Sequence, residues 1–165
     1  MVNTAQGLFL GLANDEIIRM LVRDRAYEPH LLEVFDRFVN PGDVVIDVGA
    51  NVGYHTVQLA KRVGANGRVY AVEPQLLMYR FLAANCLLNN QFNVTSIHGA
   101  AGNVSGVLTL APIDYWDSDL NSGCGRISSN GECVNQFRLD SLELHLSPKF
   151  IKIDAQAPRV RIVVP

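Results

Sequence analysis

The sequence predicts an α/β domain with a mainly parallel sheet and flanking helices, on three observations. Short β-branched runs, apolar on both faces as buried parallel strands require, recur along the chain. Stretches with apolar residues at helical spacing alternate with them. A turn holding two glycines, Gly49 and Gly53, joins the first such run to the next helical stretch. The 165 residues suffice for one globular unit, and 48% hydrophobic against 18% charged residues supplies its core. The expected organisation is an N-terminal helical segment over 1–40 and a ligand-binding α/β domain over 41–165.

Each element has its own signal. Asn14-Asp15 caps a helix to about Arg25, with Ile17, Ile18, Leu21 and Val22 at helical spacing. Pro29 opens a second helix whose apolar face is Leu31, Leu32, Phe35, Phe38 and Val39. The turn Asn40-Pro41-Gly42-Asp43 ends it. Val44 to Val48 reads as a buried strand, and Val52, Thr56, Leu59, Ala60 and Val63 mark the helix beyond it. After a turn at Gly64 to Gly67, Arg68 to Val72 forms the second strand. Pro74 starts a helix with the face Leu77, Phe81, Ala84 and Leu88, closed by Asn89-Asn90. Val94 to Ile97 is a third strand, and Val107 to Leu110 and Val134 to Leu139 are extended. The polar stretch between those two is a loop long enough to suggest function or mobility. Phe150 to Ile153 is a fourth buried-type strand, and Val160 to Val164 a further one.

Composition excludes several classes. The formal net charge of −2 offers no electrostatic case for nucleic acid or an anionic membrane. No apolar run approaches the length of a bilayer span, and Gly7 to Ala13 is a poor secretory leader. Cys86, Cys124 and Cys133 cannot all pair and lack a metal-ligand spacing. A cytoplasmic protein without a metal is expected. Asp114, Asp117 and Asp119 read as a solvated acidic loop.

The chemistry concentrates at Asp47-Val48-Gly49-Ala50-Asn51-Val52-Gly53, between a buried strand and a helix. Glycines there let the backbone turn sharply and a ligand approach the strand's carboxyl edge, where open α/β sheets bind ligands. Glu73 ends the second strand, where a carboxylate can accept hydrogen bonds from both hydroxyls of a ribose. Asn51 stands where a dinucleotide fingerprint wants glycine, so a nicotinamide-dependent oxidoreductase is the weakest reading. The looser glycine spacing, with Asp47 before it, suits an adenosyl ligand carrying a cationic amino group. S-adenosylmethionine is such a ligand.

Between Tyr27 and Asp154 the sequence resembles the FkbM-type S-adenosylmethionine-dependent methyltransferases. The resemblance is carried by Tyr27-Glu28-Pro29, by the stretch from Pro41 to Gly53, and by that from Gly67 to Pro74. It continues through Phe81-Leu82, Asn85, Leu88-Asn89, Leu139-Asp140-Ser141-Leu142 and Ile151-Lys152-Ile153-Asp154. It implies a Rossmann-like methyltransferase fold and methyl transfer to a hydroxyl oxygen of a sugar or other small molecule. By position, Asp47, Gly49, Asn51 and Gly53 would surround the methionine half of the cofactor, with Glu28 also at the cofactor site. Glu73 would hold the ribose, Ala100-Ala101 would lie near the adenine, and Asp154 would face donor and acceptor.

An alcohol acceptor needs a base within hydrogen-bond reach, and Asp154 and His55 are the candidates. Lys152 alternates away from Ile151 and Ile153 and reads as structural. Where the family continues Val-Glu-Gly, this chain has Ala155-Gln156-Ala157, and it ends at Pro165. The resemblance is thus to a C-terminally shortened member with sheet strands missing. Two further expectations follow. One is a catalytically silent S-adenosylmethionine-binding module, the alternative to an active enzyme. The other is a homo-oligomer formed through the shortened sheet edge.

Overall fold

The computed structural model describes residues 1–142, 144 and 147–154. It opens with a hairpin, β1 (Val2–Thr4) and β2 (Gly7–Phe9), followed by helices α1 (Glu16–Asp24) and α2 (Pro29–Phe38). Then come β3 (Val44–Val48), α3 (Tyr54–Val63), β4 (Arg68–Glu73), α4 (Leu76–Leu88) and β5 (Val94–His98). Three further strands, β6 (Ala100–Ala101), β7 (Gly106–Leu110) and β8 (Glu132–Phe137), precede a 3-10 turn at Leu139–Ser141 and β9 (Phe150–Ile153).

The central sheet has the order β5-β4-β3-β9 and is parallel throughout. All five residues of β3 are buried, in keeping with a strand that is apolar and β-branched apart from Asp47. Helices α3 and α4 pack on this sheet, and α2 packs on α3. Phe35 and Val39 from α2 and its end join Val45, Leu59, Val63 and Val69 in one apolar cluster. Phe9, Ile17, Leu21, Val57, Met78 and Leu82 belong to a second, so the first forty residues share a core with the α/β layers. A smaller sheet, β6-β8-β7, stands beside the main one, with β7 and β8 antiparallel.

Two expectations change. The segment over 1–40 is not wholly helical, because β1 and β2 form a hairpin ahead of α1. The buried face of α4 is Met78, Leu82, Asn85 and Cys86, whereas Leu88 is 40% exposed. The sequence of α4 is apolar on nearly every side, so hydrophobic spacing alone does not fix its phase. Asn85 fixes it: Oδ1 accepts from Leu10 N at 2.7 Å, and Nδ2 donates to Leu10 O at 2.9 Å and Val52 O at 2.7 Å. One turn on, Asn89 accepts from Leu8 N at 3.0 Å and donates to Leu8 O at 2.7 Å. Two side-chain amides thereby satisfy backbone groups at the end of the hairpin. Asn85→Ala strips partners from three interior backbone groups and is expected to cost about 2–3 kcal/mol. Urea unfolding monitored by circular dichroism checks this, and an unchanged midpoint contradicts it.

The expected strand over 160–164 lies outside the described residues, as do residues 155–157. Among the described residues, β9 is the outermost strand on its side of the sheet.

Candidate functional site

A cavity of about 830 Å³ lies at the carboxyl ends of β3, β4 and β9, lined by Gly49, Asn51, Glu73, Lys152 and Asp154 among others. The β3–α3 turn forms its floor. Gly49 and Gly53 adopt φ of +74° and +84°, and Asn51 tolerates +50° as short polar side chains do. The Gly49 and Ala50 amides both donate to Val72 O, at 3.0 and 3.1 Å, which folds the turn back onto β4. A Cβ on Gly53 would stand 2.7 Å from Leu82 Cδ1 and 3.2 Å from Leu82 Cα, so glycine lets α4 approach the turn.

Glu73 ends β4 and is 3% exposed. Its Oε2 accepts from Asn51 N at 2.7 Å and its Oε1 from Gln75 N at 2.9 Å. Burial pushes its carboxyl up to about 7, against the pull of those two amides and with further opposition from the Lys152 charge. Each oxygen retains a lone pair. The group can therefore accept two hydroxyl hydrogens from a ligand.

Beneath the turn lies a buried ion pair. Asp47, fully buried, accepts from Lys152 Nζ at 3.0 Å and from Thr56 Oγ1 at 2.6 Å. Burial alone would lower the Lys152 ammonium, but Asp47 and Asp154 outweigh it and hold the pKa above the ordinary lysine value. Lys152 also lies 3.9 Å from Asp154 Oδ2, so one cation links the buried acid to the exposed one at the cavity mouth.

A third group surrounds His55, in the first turn of α3. His55 is 5% exposed, and its Nε2 stands 2.9 Å from Glu28 Oε2. The Tyr27, Tyr54 and Phe35 rings enclose the imidazole at centroid distances of 5.5, 5.3 and 5.7 Å. Burial and the Lys152 charge hold its pKa below the usual histidine value, despite Glu28. The ring is neutral near pH 7. Among the described residues its Nδ1 has no hydrogen-bond partner. Tyr27 is pushed up to about 12 by burial and the neighbouring acids, so its phenol stays protonated.

The structure thus brings Gly49, Asn51, His55, Glu73, Ala100, Ala101 and Asp154 together in the lining of one cavity. Ala100 and Ala101, with Leu108 and Leu110, make one side of it apolar. Three expected cofactor residues, Glu28, Asp47 and Gly53, are not among the residues that line it. The Asp47 carboxylate is spent on Lys152 and Thr56, and Glu28 faces His55. Gly53 acts through the helix contact described above. Asp114 and Asp117 cap local turns, and Asp119 pairs with Arg19.

Sequence reasoning missed Gln75 and Ser122, both lining the cavity and both at most 5% exposed. Ser122 sits in the long polar loop, 71 residues from the Asn51 it touches, and no local pattern announces it. Lys152 was legible as facing away from its neighbours on β9, but not as the counter-ion of Asp47.

A family model described as the methyltransferase FkbM domain matches residues 47–156. Among solved structures, a SAM-dependent methyltransferase from Aquifex aeolicus is similar at 24% identity over 50% of this chain and 47% of that one, with a TM-score of 0.42. A SAM-dependent O-methyltransferase from Thermotoga maritima is similar at 25% identity over 48% of this chain and 32% of that one, with a TM-score of 0.40. Fibrillarin from Aeropyrum pernix, in complex with natively bound S-adenosyl-L-methionine, is 25% identical over 38% of this chain and 26% of that one, with a TM-score of 0.35. The matched part of this chain spans less than half the length of each of these structures. Comparison with curated proteins finds no match.

Proposed function

Since the chain belongs to the methyltransferase FkbM domain family, whose model spans residues 47–156, we propose that it binds S-adenosylmethionine and methylates a hydroxyl oxygen of a small molecule such as a sugar. One observation carries the cofactor assignment: a buried Glu73 carboxylate in the cavity wall, preoriented by the Asn51 and Gln75 amides with acceptor capacity to spare. The surroundings fit the same ligand. Ala100, Ala101, Leu108 and Leu110 offer an apolar face for a flat base, and the Gly49–Asn51 turn offers close backbone approach.

When bound, S-adenosylmethionine supplies a methyl group on a sulfonium, ready for in-line displacement. The chain's own task is to align the acceptor, exclude water and take up one proton. Asp154, with its side chain 58% exposed at the end of β9, is the candidate to receive the hydroxyl proton at the open side. It lies 3.9 Å from the Lys152 ammonium. Neutral His55, oriented by Glu28, is the second candidate.

Calorimetric titration of folded protein with S-adenosylmethionine and with its demethylated product tests the reading. Saturable heat is expected, and none at millimolar ligand overturns it. Binding without methyl transfer across a broad panel of hydroxylated acceptors supports the catalytically silent module instead. Self-association along β9 belongs to the same proposal, supported by half-buried Phe150, Ile151 and Ile153 on the outermost described strand. Sedimentation velocity at micromolar protein is expected to show a dimer or larger species. A strict monomer with a cooperative melt removes that element.

A further inference from the structure

The cavity wall contains a closed ring of hydrogen bonds that joins three separate parts of the chain. Starting from the acid, Glu73 Oε2 accepts from Asn51 N at 2.7 Å. The Asn51 side chain donates from Nδ2 to Ser122 Oγ at 3.1 Å, while the hydroxyl lies 3.3 Å from Asn51 Oδ1. Ser122 O accepts from Gln75 Nε2 at 2.6 Å, and Gln75 N returns to Glu73 Oε1 at 2.9 Å. Four residues from the β3–α3 turn, the β4–α4 turn and the long loop thus hold one another, and all four line the cavity.

Ser122 is the member that comes from far away. It is fully buried although the loop around it is largely exposed. Its backbone is anchored independently of its hydroxyl: Ser122 N donates to Asp15 Oδ2 at 3.0 Å, and Asp15 Oδ1 caps α1 through Ile17 N at 3.0 Å. Leu120 O also accepts from Glu16 N at 3.0 Å. The hydroxyl therefore reaches Asn51 from a fixed platform. Asn51 needs such support, because its backbone sits at φ +50° and its amide proton is aimed at Glu73.

We infer that Ser122 is a positioning residue of the cofactor site: its hydroxyl holds Asn51 in the left-handed conformation that directs the Asn51 amide at the Glu73 carboxylate. The inference rests on the cofactor reading for its effect on affinity, but not for its effect on Glu73. Bond formation by the Asn51 amide stabilises the ionised carboxylate, so loosening Asn51 makes Glu73 harder to ionise. The other groups that bear on Glu73 are the Gln75 amide, Asp47 on β3, Lys152 on β9 and the neutral Tyr115 phenol in the loop. None of them contacts the Ser122 hydroxyl.

The test uses Ser122→Ala, which removes one hydroxyl and leaves the Asp15 and Gln75 contacts to the backbone in place. Ser122→Cys, nearly isosteric with a weaker donor and acceptor, is the second variant. Two readouts are taken on each: affinity for S-adenosylmethionine by calorimetry, and the ionisation midpoint of Glu73 in ligand-free protein by carbon-detected NMR of labelled glutamate. Ser122→Ala is expected to weaken binding about three- to tenfold and to raise the Glu73 midpoint by roughly half a pH unit, with Ser122→Cys between it and the parent. A loss of affinity with the midpoint unmoved, or no change in either, overturns the inference. Absence of cofactor binding by the parent protein overturns the functional reading alone, and the Glu73 midpoint still decides the role of Ser122.

Discussion

Asp47→Ala is expected to lower the free energy of unfolding by about 3–5 kcal/mol, the loss typical when one member of a buried ion pair is removed. Asp47 is fully buried and the Lys152 side chain is 9% exposed, so the orphaned ammonium would be left largely buried, with no other acid as close among the described residues. Asp154 stands 3.9 Å away and offers only partial compensation. Adding Lys152→Met to Asp47→Ala should restore most of the loss, because an apolar side chain of similar length replaces the stranded charge. Urea unfolding of the two single variants and the double variant checks both parts. Additive losses in the double variant would show that the two charges do not depend on each other. The pH dependence has a defined sign. Lys152 is held above its unfolded value, so the Lys152 charge contributes fully below the ordinary lysine value and this contribution is lost as pH rises from there through the raised native value.

Glu73→Ala should weaken S-adenosylmethionine binding about ten- to a hundredfold, equivalent to about 1.5–3 kcal/mol for hydrogen bonds to a charged acceptor. The ratio of parent to variant affinity should itself depend on pH. Ligand hydroxyls bind the ionised carboxylate better, and this carboxyl titrates at about 7. Between pH 6 and pH 8 the ratio is expected to rise about tenfold, with groups on the ligand cancelling because both proteins see the same ligand. Calorimetry at three pH values checks it, and a pH-independent ratio would mean that the ribose is held elsewhere. On folding the same shift acts in reverse. Native Glu73 binds its proton more tightly than an unfolded glutamate at 4.5, so its contribution to stability falls as pH rises from there to about 7. The substitution also strips the Asn51 and Gln75 amides of their acceptor, so a small loss of stability accompanies the loss of affinity.

The strands and the glycine turn were legible because local rules govern them. Val44 to Val48 is β-branched and apolar apart from Asp47, and it occupies the interior of a parallel sheet. Gly49, Gly53 and Glu73 sit where chain reversal and strand ends dictate. What escaped notice depends on partners distant in sequence. Asn85 faces inward on α4 because Leu10 and Val52 present backbone groups to it, and no spacing rule within the helix encodes that. Ser122 is one of several serines in a polar loop until the fold sets it against Asn51. Glu28 was placed by resemblance at the cofactor, and no spacing rule announces that its carboxylate meets His55 at 2.9 Å.

The paired amides of Asn85 and Asn89 have a consequence for how this gene can change. They are four residues apart, so one helical turn stacks them, and they engage Leu8 and Leu10, two apart on an extended segment. The match works because a turn of helix and a two-residue strand step have nearly equal length. A single-codon insertion or deletion between positions 85 and 89 would swing the second amide about 100° around the helix, off the hairpin altogether. Tolerance to length variation should therefore be near zero in the last turn of α4, even though Leu87 and Leu88, within that interval, are 63% and 40% exposed and individually free to vary.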